Sequence, residues 1–217
     1  MQILWIRHGK TLGNVQRRYV GRTDEGLTDE AKLCLQKKQV LMQDLCVQTE
    51  SDRNPGKWYH AGAFVPDFVY SSPMMRCRET AEILFPGQVL CVQEGLQETD
   101  FGDFEYKNYE ELKENPAYQA WIDSGGQMMV PNGESGAGFR HRCCRAYEQS
   151  VRDAQEKGAQ RIAIVCHGGT IMSVLERYGR PEKSFYEWQI ANGCGILTET
   201  IEEGGYHYGI REIGKWE

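Results

Sequence analysis

Apolar residues along this chain fall into short continuous runs separated by longer stretches with helical spacing. Residues 2–7 (QILWIR) are nearly all apolar and end at Arg7-His8-Gly9, the pattern of a buried strand entering a turn. From Leu27 to about Leu45, Thr28 stands as an N-cap with Glu30 in the first turn. Ala31, Leu35, Val40, Met42 and Leu45 add an imperfect apolar face, and the stretch reads as a helix. Residues 50–66, containing Asn54-Pro55-Gly56, show no period and read as a long surface loop. A strand is predicted at 67–71 (DFVYS), then a helix opened by Pro73 and running to about Leu84, since proline is tolerated in a first helical turn.

A third apolar run at 88–92 ends near Glu94-Gly95, and 107–123 looks helical but broken by Pro116. Phe139, Cys143, Ala146, Ser150 and Ala154 recur at steps of three or four, which places a long amphipathic helix over 134–157. The strongest strand signal is RIAIVCHGG, 161–169; a helix over 170–178 follows, then strands at 196–201 and 206–213 joined as a hairpin around Gly204-Gly205. Strands alternating with helical patterns predict an α/β three-layer sandwich with a mostly parallel central sheet. Ligands bind such sheets beyond the carboxyl ends of the strands. Two predicted strands end alike, in His8-Gly9 and His167-Gly168-Gly169, and that coincidence directs the search for chemistry.

The chain's 217 residues, 40% hydrophobic, suffice for one domain spanning 1–217. A net charge of −6 argues against a nucleic-acid or anionic-membrane partner, so an anionic substrate would have to meet a locally positive pocket. No stretch approaches the roughly 18 apolar residues of a membrane span, and Met1 leads directly into a strand-like run; both point to the cytoplasm. The eight cysteines contain no Cys-x-x-Cys pair and are expected to be reduced.

Gly9-Lys10-Thr11 resembles the end of a nucleotide-binding loop, but such a loop needs glycine at position 4, where the chain has Leu4. No cysteine is followed six positions later by arginine, no Asp-x-Asp pair exists, and neither His-Glu nor His-x-x-x-His occurs. Thiolate, aspartyl-phosphate and helical zinc-hydrolase sites are thereby unsupported. Histidine near arginine remains. A neutral imidazole can attack phosphorus if fixed cations offset the charge on the transferring oxygens, and Arg7 and Arg76 are the candidates to supply them.

These residues belong to an ordered series: Arg7-His8-Gly9 with Thr11 and Asn14, Tyr19-Val20-Gly21 leading to Leu27-Thr28, Ser71-Ser72-Pro73 with Arg76, Leu96-Gln97-Glu98, Phe101-Gly102, Pro131-Asn132-Gly133-Glu134-Ser135, and Cys166-His167-Gly168-Gly169. In this the sequence resembles the histidine phosphatase superfamily, the phosphoglycerate-mutase-like phosphatases, over nearly its whole length. The resemblance implies that His8 is the nucleophile that becomes phosphohistidine, and that Arg7, Arg76 and His167 line the phosphate pocket. Asn14, Thr11, Gly21 and Gly168 would add contacts to phosphate, and Glu98 would protonate the departing alcohol and later activate water. It further implies no cofactor, no metal and a small-molecule phosphate ester as partner. Phe101-Gly102-Asp103-Phe104-Glu105 and the 131–135 segment look most like the α-ribazole phosphatase branch of cobalamin synthesis.

Three positions depart from the family pattern: Lys10 where glutamate is common, and Ala31 and Tyr106 where glycine is. Arg17, Arg18 and Arg22 read as a solvated face, with one of them an alternative candidate to reach the substrate, and His60, His141 and His207 as structural. The rival readings are a mutase that returns the phosphate to a second hydroxyl, a non-catalytic phosphate-binding protein, and an iron site made of His8, His167 and Glu98. The Glu98 stretch lacks the Arg-His-Tyr-Gly form that mutases resemble, none of the three key residues has been lost, and neighbouring arginines would repel a metal cation.

Overall fold

A computed structural model describes residues 1–48, 58–203 and 206–216, with the side chains of all of these except 58–61, 202–203 and 206–207. The first strand, β1 (Gln2–Arg7), is buried along its centre. After it Thr11 caps a single turn, α1 (Leu12–Val15), and Asn14 returns a hydrogen bond to the Thr11 N–H. Thr28 caps α2 (Asp29–Leu41), with Asp29 and Glu30 in the first turn where the helix dipole favours acid. This helix ends four residues before the expected Leu45. The chain passes through one 3-10 turn, Met42–Asp44, into β2 (Leu45–Gln48), whose alternately buried Leu45 and Val47 have the period of a strand.

Within the expected 50–66 loop lies a further strand, β3 (Trp58–Gly62), while 49–57 falls outside the described residues. Next come β4 (Phe68–Ser71) and α3 (Met75–Leu84), which starts two residues beyond Pro73 because Met74 is extended. Beyond β5 (Leu90–Val92) the 107–123 stretch forms two helices, α4 (Tyr109–Leu112) and α5 (Pro116–Asp123). Pro116 opens the second of these behind an Asn115 cap rather than breaking one helix. The amphipathic helix is α6 (Gly136–Glu156), capped by Ser135. The strand predicted over 161–169 stops with its apolar run, as β6 (Arg161–Cys166), because His167 is already the N-cap of α7 (Gly168–Tyr178). A two-residue strand, β7 (Gly179–Arg180), precedes the long pair β8 (Gly195–Glu203) and β9 (Tyr206–Trp216), which run antiparallel; the Gly204-Gly205 turn between them lies outside the described residues.

The strands join one mixed sheet in the order β3-β2-β9-β8-β1-β6-β4-β5, with β7 beside β9. One half of it, β1-β6-β4-β5 out to the β5 edge, is parallel as predicted. An antiparallel wing begins where β8 pairs with β1. Side-chain alternation builds both faces. Ile3, Trp5, Ile162 and Ile164 pack under α6 and α7 through Tyr147, Val151, Ile171 and Val174. Leu4, Ile6, Ala163 and Val165 pack on α2 and α3 through Leu35, Cys77 and Ala81. A third, smaller core of Phe104, Leu112, Tyr118 and Val130, with Tyr19, Phe101 and Trp121 against it, sits under the α4–α5 region. Among the described residues no helix is long and apolar enough to cross a membrane.

Ile164 is fully buried in the central strand whereas Val89 is 81% exposed. Ile164→Ala should therefore cost about 2–5 kcal/mol and Val89→Ala less than about 0.5 kcal/mol, read as urea midpoints at unchanged slope.

Candidate active site

The pairing of β1 with β6 decides where the two strand-end histidines sit. The strands are parallel with Arg7 opposite Cys166, so the next residue of each, His8 and His167, leaves the sheet at the same level. The His8 N–H still donates to the Cys166 carbonyl at 3.0 Å. Their rings meet edge to face with centroids 5.1 Å apart.

Hydrogen bonds define the tautomer of each ring. His8 Nδ1 lies 2.7 Å from the Gly9 carbonyl, an acceptor only, so Nδ1 carries the proton and Nε2 keeps its lone pair. For His167, Arg76 Nε donates to Nδ1 at 3.3 Å, which leaves Nε2–H to donate to Ser72 Oγ at 2.8 Å. Both rings are held neutral. Burial and then the charges of Arg76 and Arg7 push the pKa of His8 well below its ordinary value; burial and Arg76 do the same to His167.

Arg76 is fully buried, yet its partners are uncharged: besides His167, it donates to the carbonyls of Thr23 and Gly21, each at 2.8 Å. Arg7 donates to the Ile190 carbonyl at 2.8 Å, while its buried Nε finds no partner among the described residues. Its side chain lies against Gly168, where an added Cβ would come within 3.2 Å of Cζ and of Nε. Two desolvated guanidiniums, neither ion-paired among the described residues, beside neutral imidazoles form a site that an oxyanion would stabilise.

Glu98 reaches the same place from the loop after β5. Its Oε2 accepts from the Gly169 N–H and its Oε1 from the Thr99 N–H, both at 3.0 Å, which anchors the carboxylate at the N-terminus of α7. Residue 169 has no side chain to displace this carboxylate: a Cβ there would lie 2.3 Å from Glu98 Oε1 and push it aside.

The other expected contacts separate by role. Asn14 Oδ1 accepts from the Thr11 N–H and from Asn192 Nδ2, and among the described residues the Asn14 amide NH2 is left available to a ligand. Thr11 is buried, and its hydroxyl caps α1. The Gly21 N–H donates to Glu105 and its carbonyl accepts from Arg76, so it supports the pocket through that arginine. Gly168 forms the floor under Arg7. Arg17 and Arg22 are exposed, whereas Arg18 is tied to Glu111 and to the Tyr106 carbonyl. His141 is exposed; the His60 and His207 side chains lie outside those described.

Lys10 is exposed. Tyr106 adopts φ +58°, the left-handed conformation that glycine takes without strain, and is held there by a 3.1 Å bond to Glu25 and by Arg18 over its ring.

Sequence reasoning passed over four residues. Asn192 also donates to the His8 carbonyl, Glu105 binds the N–H groups of Gly21 and Thr23, and Arg142 holds the Glu98 segment. Cys77 Sγ lies 3.5 Å from His167 Nε2, its thiol pKa pushed up to about 12 by burial. Of the four, Glu105 closes the quoted Phe101–Glu105 segment, Cys77 follows Arg76, and Arg142 lies about two helical turns beyond Glu134-Ser135; only Asn192 stands apart from every quoted motif.

From Arg7, Glu98 and Gly168 a cleft of about 530 Å³ opens between Tyr19, Phe101, Trp121, Phe139, Phe185 and Tyr186, with Arg140 at its side. The arrangement pairs a site for an oxyanion with an aromatic-walled space for whatever the oxyanion is attached to.

The sequence pattern of the histidine phosphatase superfamily (branch 1) matches residues 56–208, a span that contains Arg76, Glu98 and His167 and starts after His8. The adenosylcobalamin/alpha-ribazole phosphatase of Escherichia coli is 26% identical over 89% of this chain and 87% of its own length. The phosphoglycerate mutase-like protein 4 of Arabidopsis thaliana is 29% identical over 81% and 70%, respectively. In fold, the alpha-ribazole phosphatase of Shigella flexneri superposes with a TM-score of 0.79 at 22% identity, covering 100% of this chain and 96% of that one. With the family pattern present over more than half its length, the chain belongs to the histidine phosphatase superfamily.

Proposed function

We propose that the chain, acting as one domain, is a metal-independent phosphomonoesterase that works through a phosphohistidine on His8, with α-ribazole 5′-phosphate as its leading candidate substrate. One observation carries the reading: a neutral imidazole with its lone pair on Nε2 lies beside the buried Arg76 and the largely desolvated Arg7, neither ion-paired among the described residues. In the first step His8 Nε2 forms a bond to phosphorus while the bond to the alcohol oxygen breaks, and the Glu98 carboxyl gives that oxygen its proton. Arg7, Arg76 and His167 offset the charge on the transferring oxygens, and the Asn14 amide adds a donor. In the second step the Glu98 carboxylate takes a proton from water. The resulting oxygen–phosphorus bond replaces the nitrogen–phosphorus bond and frees inorganic phosphate.

The relatives named for α-ribazole support the substrate, as does the aromatic cleft, which suits the flat base of that ester. The Arabidopsis relative's name favours a second reading, return of the phosphate to another hydroxyl; release of free phosphate without any phosphorylated acceptor distinguishes the two.

His8→Ala should lower kcat/KM for α-ribazole 5′-phosphate by roughly 10⁴-fold or more, measured as phosphate release. The unsubstituted protein should keep its rate in EDTA; loss of activity restored by a divalent cation would overturn the metal-free chemistry.

Stability should report the depressed histidines as well. As pH falls, the unfolded chain takes up protons near pH 6.5 while folded His8 and His167 resist them. Their contribution is therefore complete above about pH 6.5 and lost as pH falls towards the lower folded values. Urea midpoints should drop between pH 7.5 and pH 5.5, and His167→Gln should flatten that slope.

A further inference from the structure

Arg142 projects from α6 and spends all five of its N–H donors on one neighbourhood. Nε and one Nη2 hydrogen bind the two oxygens of Glu134, at 3.0 and 2.7 Å, in a forked ion pair. Nη1 donates to the carbonyls of Gly95 and Gln97, at 3.1 and 3.0 Å, and Nη2 donates to the carbonyl of Glu98 itself at 3.2 Å. A guanidinium has five donors in a fixed plane, and here each meets an acceptor. Thr170 adds its hydroxyl to the Gln97 carbonyl at 3.2 Å, and the Glu134 N–H binds the Asp100 carbonyl at 2.9 Å. Gly95 lets this segment lie directly on α6, since a Cβ there would come within 2.7 Å of the Ala146 Cβ.

These bonds act on backbone rather than on the reacting groups. The Glu98 carboxylate is held by two N–H groups, one of them its neighbour Thr99 in the same segment, so its place depends on where the 95–98 backbone lies. We propose that Arg142, braced by Glu134, is a positioning residue for the acid–base carboxyl of Glu98. It fixes the distance from that carboxyl to the leaving oxygen without touching substrate. The inference rests on the role given to Glu98 under the proposed function.

A positioning role makes a demand that a merely structural one does not. Proton donation matters for an alkoxide leaving group and hardly at all for p-nitrophenolate, so a displaced Glu98 should slow esters selectively. The test compares kcat/KM for benzyl phosphate and p-nitrophenyl phosphate in the full chain, in Arg142→Lys, Arg142→Gln and Glu134→Gln, with Glu98→Gln as the reference. Misplacement by about 1 Å predicts losses on the order of 10²-fold with benzyl phosphate and under about threefold with p-nitrophenyl phosphate in both Arg142 variants. Glu134→Gln, which loses charge but keeps one acceptor for the fork, should show a smaller selective loss. If neither Arg142 variant folds, Glu134→Gln decides alone, by the same selectivity.

Equal losses with both esters, or none, would overturn the proposal. If Glu98→Gln is selective and the Arg142 and Glu134 variants are not, the positioning role alone fails. If Glu98→Gln itself slows both esters equally, the acid role of Glu98 and the positioning role fall together.

Discussion

The parallel pairing of β1 with β6 in a single register is the constraint on which the rest of the site depends. A slip of one residue would turn Ile3 and Trp5 to the opposite face of the sheet, against α2 and α3, so the two cores enforce the register that brings the imidazoles together. Once the rings share a dry space with Arg76, a proton on either is opposed by desolvation and by the guanidinium. The hydrophobic effect thus sets the protonation state of the site, although no apolar side chain enters the chemistry.

The close approaches around the site depend on missing side chains as much as on those present. Glu98 can reach the N-terminus of α7 only because residue 169 has no Cβ. The Thr99 carbonyl approaches residue 21 so closely that a Cβ would lie 1.9 Å from it, while the carbonyl of residue 21 receives Arg76. In both cases, backbone packs where a side chain would otherwise hold two elements apart.

Much of this was legible in the sequence because it is written in residue types placed at strand ends. Arg7, His8 and His167 follow apolar runs that could only be buried, and the three-layer architecture follows from the alternation of those runs with helical periods. The 45–48 strand escaped notice because Leu45 also satisfied the helical spacing that begins at Thr28, and four residues are too few to separate the two periods. Pro116 was read as an interruption although the Asn115 cap makes it a beginning. The roles of Asn192, Arg142 and Glu105, the last in a quoted segment, escaped for another reason: each acts on backbone groups from far along the chain, and carbonyl or N–H partners leave no mark on the side-chain pattern. Thr11 and Gly21 stood in a motif, but their bonds turn inward to α1, Glu105 and Arg76.

The position of β1 between β6 and β8 also bears on how the molecule acquires its site. Both neighbours are encoded more than 150 residues downstream, as pairings such as Gln2 with Arg161 and with Glu199 record. During synthesis β1 must wait, unpaired and apolar, until β6 and β8 have emerged. Recovery of phosphate release after dilution from denaturant is therefore expected to lag behind helix formation. A ribosome-bound fragment ending before β6 would present an aggregation-prone edge rather than a partial enzyme.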